Sequence, residues 1–271
     1  MKLVELNPGF FSFLDSDFIE QNSDLLLIEA GAPSNENDPG VYVSDNPDGQ
    51  KFVEVMANFD LPNLIQKSSP FFLEDLSACC KILSNPKQVL NDECLSLMAS
   101  CKREGSFKFN ANEGKEELFS GLRDIVSSRQ LRNSIADNIY AVAEELFMNA
   151  AYDAPKELGA KPATDPKSHM HVDINDERIQ LTTVDFYGSL KAPKFINRIK
   201  TVFRQGPGDS INWGDGGAGL GSTILVEKCS RILMAVDPGK KTIVSCSVPI
   251  RLNLREQIQM GRCLFTFENI E

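Results

Sequence analysis

The sequence predicts an α/β fold, on three observations. Short apolar runs with strand character, the first of them DLLLIEA at Asp24–Ala30, lie between stretches whose apolar residues recur at helical spacing. Two pairs of such runs are joined by tight turns: Met170–Ile174 with Arg178–Phe186 through NDE, and Arg231–Val236 with Lys241–Ser247 through DPGKK. Between the pairs lies an amphipathic helix, Pro193–Phe203, with Phe195, Ile199 and Val202 on one side. A chain of 271 residues holds one large domain or two small ones, and either buries a real core.

In chain order, residues 1–22 carry an apolar cluster (Phe10, Phe11, Phe13, Leu14, Phe18) with acids between, the pattern of a short helix. Asp24–Ala30 reads as a buried strand, and a Pro/Asn/Asp/Gly loop leads to a second, Val41–Ser44. Helices are expected over Phe52–Gln66, over Phe71–Leu83 with Leu73, Leu76, Cys80 and Leu83 on one side, and over Val89–Cys101. FFLEDLSACCKIL faintly resembles the last helix of a response-regulator receiver domain. Too few residues precede it for a complete receiver, so a degenerate receiver and an unrelated sensory or partner-binding unit both stay open. Residues 1–105 are thus expected to form a smaller N-terminal α/β domain. Polar, glycine-bearing Lys102–Lys115 is the expected boundary, followed by a helix over Glu116–Ser127 with Leu118, Leu122, Ile125 and Val126 on one face. Residues 251–271 read as a C-terminal extension in which Cys263–Phe267 (CLFTF) is an extra edge strand.

A net charge of −10 argues against a general nucleic-acid binder, which needs a basic face. It leaves nucleotide binding open, because a few local donors and one Mg²⁺ neutralise a triphosphate. No run of eighteen apolar residues occurs, and MKLVELNPGF lacks a secretory pattern, so a cytoplasmic protein without membrane partners is expected. The seven cysteines (79, 80, 94, 101, 229, 246, 263) form no C-x-x-C pair and are odd in number. They read as reduced, buried thiols rather than a disulfide framework or a zinc site.

The stretch that organises the chain is IADNIYAVAEELFMNAAYD, Ile135–Asp153. Ile135, Ile139, Val142 and Leu146 give one apolar stripe, and Glu145 and Asn149 stack one turn apart at its margin. Taken alone, that pair is a solvated helix edge. Downstream, the strand Arg178–Phe186 ends in DFYGSL, with Asp185 and Gly188. Further on, RQGPGDSINWGDGGAGLGSTILVEKC places six glycines between 208 and 221 ahead of a helix expected over Ser222–Cys229. Such a loop brings bare N–H groups against an anion and ends at a helix N-terminus that favours phosphate. It is not a Walker loop, since no Gly-Lys-Ser/Thr follows, and it opens after a helix rather than a strand, against a Rossmann fingerprint. The second strand pair then carries Thr242.

In this order, residues 110–250 resemble the histidine-kinase-like ATPase domain, the superfamily of gyrase, heat-shock chaperone, sensor-kinase and mismatch-repair ATPases. The resemblance implies a two-layer α/β sandwich with ATP between helices and a lid, here Gly206–Gly216 with Trp213, the single tryptophan. It implies that Asn149 holds Mg²⁺, that Glu145 orients or deprotonates the phosphoryl acceptor, and that Asp185 accepts from the adenine amine beside Thr242. Gly217, Gly219, Leu220 and Gly221 match the second glycine box. The first box departs from Asp-x-Gly-x-Gly: Tyr187 and Ser189 stand where glycines are usual, with Gly188 between. Four residues past its Asn the family often has a cation, where this chain has Asp153; Lys156 or Lys161 are the nearby substitutes.

The resemblance is strongest to sensor-kinase catalytic domains and anti-sigma serine kinases. It implies a bacterial signalling protein using ATP and Mg²⁺ to phosphorylate a partner, a response-regulator or anti-sigma antagonist type, on His or Ser. The alternative is a silent nucleotide-binding regulator that gates a partner; a slow chaperone-like ATPase would need large extra domains. Dimerisation stays open. His169 and His171 are the only histidines, and no helix before the domain carries one, which argues against ordinary self-phosphorylation.

Overall fold

The computed structural model of the chain describes residues 2–4, 12, 14, 17, 26–29, 41–46, 48–58, 63–84, 86–91, 100–161, 168–205 and 220–268. Ten strands among them are β1 (Lys2–Val4), β2 (Leu26–Glu29), β3 (Val41–Ser44), β4 (Leu64–Gln66), β5 (Lys102–Phe109), β6 (Ser168–Ile174), β7 (Arg178–Asp185), β8 (Arg231–Asp237), β9 (Lys241–Pro249) and β10 (Cys263–Glu268). They form one mixed sheet in the order β1-β2-β3-β4-β10-β8-β9-β7-β6-β5. The first four run parallel, β10 is antiparallel to β4 and parallel to β8, and β8-β9-β7-β6-β5 is antiparallel throughout. The helices are α1 (Phe52–Asn58), α2 (Phe72–Ser84), α3 (Pro86–Asn91), α4 (Lys115–Ser128), α5 (Asn133–Met148), α6 (Ala154–Glu157), α7 (Ala192–Gln205), α8 (Leu220–Lys228) and α9 (Leu254–Gln259). The α/β class expected from the sequence is the class observed.

Side chains alternate across the sheet, so each strand feeds two cores. Ile232 and Met234 of β8 pack with Leu118, Val142 and Leu225 from α4, α5 and α8. Leu233 and Ala235 pack with Leu76 and Cys79 of α2. Helices therefore cover both faces, and the second cover comes from the N-terminal half.

Several expectations are corrected. Of the helix expected over Phe52–Gln66, α1 covers Phe52–Asn58, residues 59–62 lie outside the described residues, and Leu64–Gln66 is β4, fully buried between β3 and β10. Pro62 between them has no N–H to continue a helix. In α2 the inward side is Leu76, Cys79 and Cys80, while Leu73 is 59% exposed. The helix expected over Val89–Cys101 overlaps α3 at residues 89–91, residues 92–99 lie outside the described residues, and Cys101 is not helical. The expected boundary Lys102–Lys115 contains β5, an edge strand with a bulge between Arg103 and Gly105. Its charges and kink, which read as a linker, are the ordinary protection of a sheet edge. The CLFTF strand lies inside the sheet, between β4 and β8, so segments 1–105, 110–250 and 251–271 all contribute to one sheet. The cluster at residues 1–22 lies largely outside the described residues. No helix among the described residues is long and apolar enough to cross a membrane.

Two buried cations tie these segments together. Asp75 of α2, 0% exposed, accepts from Arg178 of β7 at 2.7 Å and from Arg231 of β8 at 3.0 Å, both arginines also 0% exposed. Arg231 reaches on to Gln180 at 2.8 Å, Arg178 pairs with Glu74 at 2.6 Å, and its guanidinium lies 4.1 Å from the Phe71 ring centre. Burial raises the Asp75 proton affinity, and the two arginines oppose that rise. Arg262, also buried, donates to the carbonyls of Val226 (2.7 Å), Gly49 (2.9 Å) and Met260 (3.0 Å). It thereby holds the last turn of α8, where a cation complements free carbonyls and the helix dipole. Asp75→Ala removes the carboxylate that two buried guanidinium groups share, leaving Glu74 as the remaining acid beside Arg178, and urea unfolding should show a loss of about 3–5 kcal/mol.

Candidate functional site

The candidate site begins where α5 stops being an α-helix. Pro155 lacks an N–H, and its ring crowds the carbonyl four residues back, so an α-helix cannot run through it. The chain widens into a π turn over Asn149–Asp153, in which the Ala154 N–H donates to the Asn149 carbonyl. Tyr152 anchors the turn by donating its hydroxyl to the Ala111 carbonyl at 2.6 Å. At its start, Asn149 Nδ2 donates to Glu145 Oε1 at 2.9 Å. An ionised carboxylate only accepts, so this bond commits the amide end of Asn149 and leaves its carbonyl Oδ1 uncommitted.

Glu145 and Asn149 open onto a cavity of about 380 Å³ that Asp185, Gly221 and Thr242 also line. Asp185 ends β7 and is 7% exposed. Its Oδ1 accepts from the Tyr187 N–H at 2.9 Å and the Gly188 N–H at 3.3 Å. Thr242 stands opposite Asp185 in the β7–β9 register. Its hydroxyl is close enough to favour the ionised carboxylate, yet it is buried and makes no hydrogen bond to a described residue. Gly221 opens the first turn of α8 directly against Glu145: a Cβ there would lie 1.9 Å from the carboxyl carbon. Apolar walls come from Leu146, Leu190, Phe195, Leu225 and Val244.

The electrostatics are those of acids drawn out of water. Burial is the main cause that raises the Glu145 and Asp153 carboxyls, with Arg198 opposing both. Burial likewise pushes Asp185 up to about 6, against the two backbone N–H bonds and Thr242. Among the described residues no cluster of three or more His, Cys, Asp or Glu forms a metal cage. Asn149 Oδ1 and a nearby carboxylate instead fit Mg²⁺, which takes one or two protein oxygens and completes its octahedron with phosphate and water.

Five of the residues singled out from sequence, Glu145, Asn149, Asp185, Gly221 and Thr242, thus share one cavity. Gly188 does not line it. With φ +59° and a would-be Cβ 2.2 Å from the Asp237 carbonyl, it supports the β8–β9 turn, whose Gly239 N–H donates to its carbonyl at 3.0 Å. Leu220 begins α8, and its side chain, with Gly217, Gly219 and the expected lid at 206–216, lies outside the described residues. Lys156 and Lys161 do not line the cavity either. The cations that do are Lys191, Lys194 and Arg198, at the start of α7 and on it. Sequence reasoning used only the apolar side of that helix; Lys194 and Arg198, four apart on its polar side, were the available signal. No protein-family model matches the chain, and no curated protein matches it in sequence.

The Asp185 carboxyl has a definite stability signature. Raised on folding from 3.8 to about 6, it costs stability as pH rises across that window, on the order of 3 kcal/mol once ionised. Asp185→Asn keeps an acceptor for the two N–H groups without that cost. Urea unfolding should find the variant more stable than wild type at pH 7.5, with the advantage vanishing as pH falls through 6 towards 4.

Proposed function

We propose that the chain is a Mg²⁺- and ATP-binding signalling protein of the histidine-kinase-like ATPase type, which transfers the γ-phosphoryl group to a partner protein. The observation that carries the reading is the convergence of Glu145, Asn149, Asp185, Gly221 and Thr242 on one cavity, from four elements and nearly a hundred residues of chain. In this reading Asp185 accepts the adenine exocyclic amine, and the Thr242 hydroxyl gains the partner it lacks from the base edge. The apolar walls take the faces of the ring. Asn149 Oδ1, oriented by Glu145, faces the phosphates, where bound Mg²⁺ would supply charge neutralisation. Glu145 takes the proton of the attacking hydroxyl or imidazole as its oxygen or nitrogen bonds to the γ-phosphorus and the bond to ADP breaks. A carboxylate raised by burial is suited to that exchange. An acceptor on a partner fits the placement of the chain's own histidines on β6: His171 is buried, its Nδ1 3.0 Å from the Ser106 hydroxyl, and His169 packs on Phe186.

The second reading, a silent nucleotide-dependent regulator, is favoured by Asp153, an acid in the cavity wall where the resembled ATPase family often has a cation. Thermal melting separates binding from no binding: ATP with Mg²⁺ should raise the melting temperature, Asn149→Ala should weaken the rise, and Asp185→Asn should abolish it. A wild-type protein indifferent to adenine nucleotides would overturn both readings. Label from γ-labelled ATP appearing on a partner, and lost in Glu145→Gln, selects the kinase; retained label-free binding selects the regulator.

Gly221→Ala tests the close approach independently. The new methyl must push the Glu145 carboxylate aside and break its bond to Asn149, while alanine within a helix turn is favoured by up to about 1 kcal/mol. Stability should hold or rise slightly, and the Mg²⁺-dependent part of the ATP-induced melting shift should fall.

A further inference from the structure

The cavity wall holds a half-buried guanidinium that pairs with none of the described residues. Of the basic groups on and before α7, Lys194 is committed to an ion pair with Glu157, and Lys191 is exposed ahead of the helix. Arg198, one turn beyond Lys194, is half-buried in the same wall as Glu145 and Asn149. It makes no hydrogen bond or ion pair to any described residue. It acts on Glu145, Asp153 and Glu157 only through space, pulling each carboxyl down. A partly desolvated guanidinium, with five N–H donors in a fixed fork, is costly to leave unpaired and matches two oxygens of one phosphoryl group.

We infer that Arg198 is the specificity-determining residue for the anionic tail: its guanidinium grips the phosphate chain of a nucleoside polyphosphate whose base lies against Asp185 and Thr242. This rests on the nucleotide reading above and assigns the cation that Asp153 displaces from its usual place to a different helix. The placement explains how the wall tolerates Asp153. The cavity's four acids, Glu145, Asp153, Glu157 and Asp185, face three bases, Lys191, Lys194 and Arg198. Lys194 is held by Glu157, Lys191 is exposed, and Arg198 is the half-buried base that can turn from balancing carboxylates to binding phosphate. Selectivity for di- and triphosphates over the bare nucleoside then sits on α7, immediately before the glycine-rich segment.

Isothermal titration of the full chain with adenosine, AMP, ADP and ATP, each with Mg²⁺, tests the assignment. Arg198→Gln should lower ATP and ADP affinity about tenfold or more while leaving adenosine affinity unchanged, because a charge-assisted bidentate contact is lost only with the tail. Arg198→Lys should recover part of the loss, and Lys156→Gln, outside the lining, should match wild type. Equal weakening of adenosine and ATP in Arg198→Gln, or an unchanged ratio between them, overturns the inference while leaving nucleotide binding intact. Wild-type protein that binds none of the four ligands overturns the underlying reading instead.

Discussion

Asp75 between Arg178 and Arg231 is the contact on which the rest of the architecture leans. Isolated, each of these charges would be expelled from the interior; together they satisfy one another and bind a helix of the N-terminal half to two strands of the C-terminal half. Strand β7 runs from Arg178 to Asp185, so the residue that fixes one end of the strand sets the position of the acid at its other end. Strand β8 leads into β9, which sets Thr242 beside that acid. Arg262 does the same for α8, gripping the carbonyls of its last turn while Gly221 in the first turn meets Glu145. Both ends of the cavity are thus braced from segments remote in the chain.

The cavity itself is built against local stability. Three of its acids are held partly or almost wholly out of water, and burial is the largest influence on each. The Thr242 hydroxyl is buried without a hydrogen bond to any described residue, and the helix carrying Glu145 widens into a π turn at Asn149. Such costs concentrate at functional sites, and the proposed nucleotide would offset them with a donor for the acids, a partner for the hydroxyl and an anion for Arg198. The interactions that offset them lie elsewhere, in the two cores and in the ion cluster on the opposite face.

Much of this was legible in the chain. Strands β2, β3, β6, β7, β8 and β9 and helices α2, α4, α5, α7 and α8 all fall where periodicity or apolar runs placed them, because their burial pattern repeats within a few residues. What misled was local polarity. Lys102–Phe109 carries the charges of a loop because it is a sheet edge, and Leu64–Gln66 is too short to show a period of its own. Gly188 read as part of a ligand loop, yet its positive φ serves the neighbouring turn.

By itself the sequence determined the α/β class, the helix bearing Glu145 and Asn149, and the two hairpins β6–β7 and β8–β9, since hairpin partners lie close along the chain. Only the tertiary structure decided that β7 pairs with β9 and so sets Asp185 by Thr242, that β10 enters the sheet between β4 and β8, that Arg198 rather than Lys156 reaches the cavity, and that Asp75 bridges two distant arginines. Those contacts join residues far apart in the chain. No local spacing encodes them, because they depend on which surfaces remain to be buried once the nearby elements have formed.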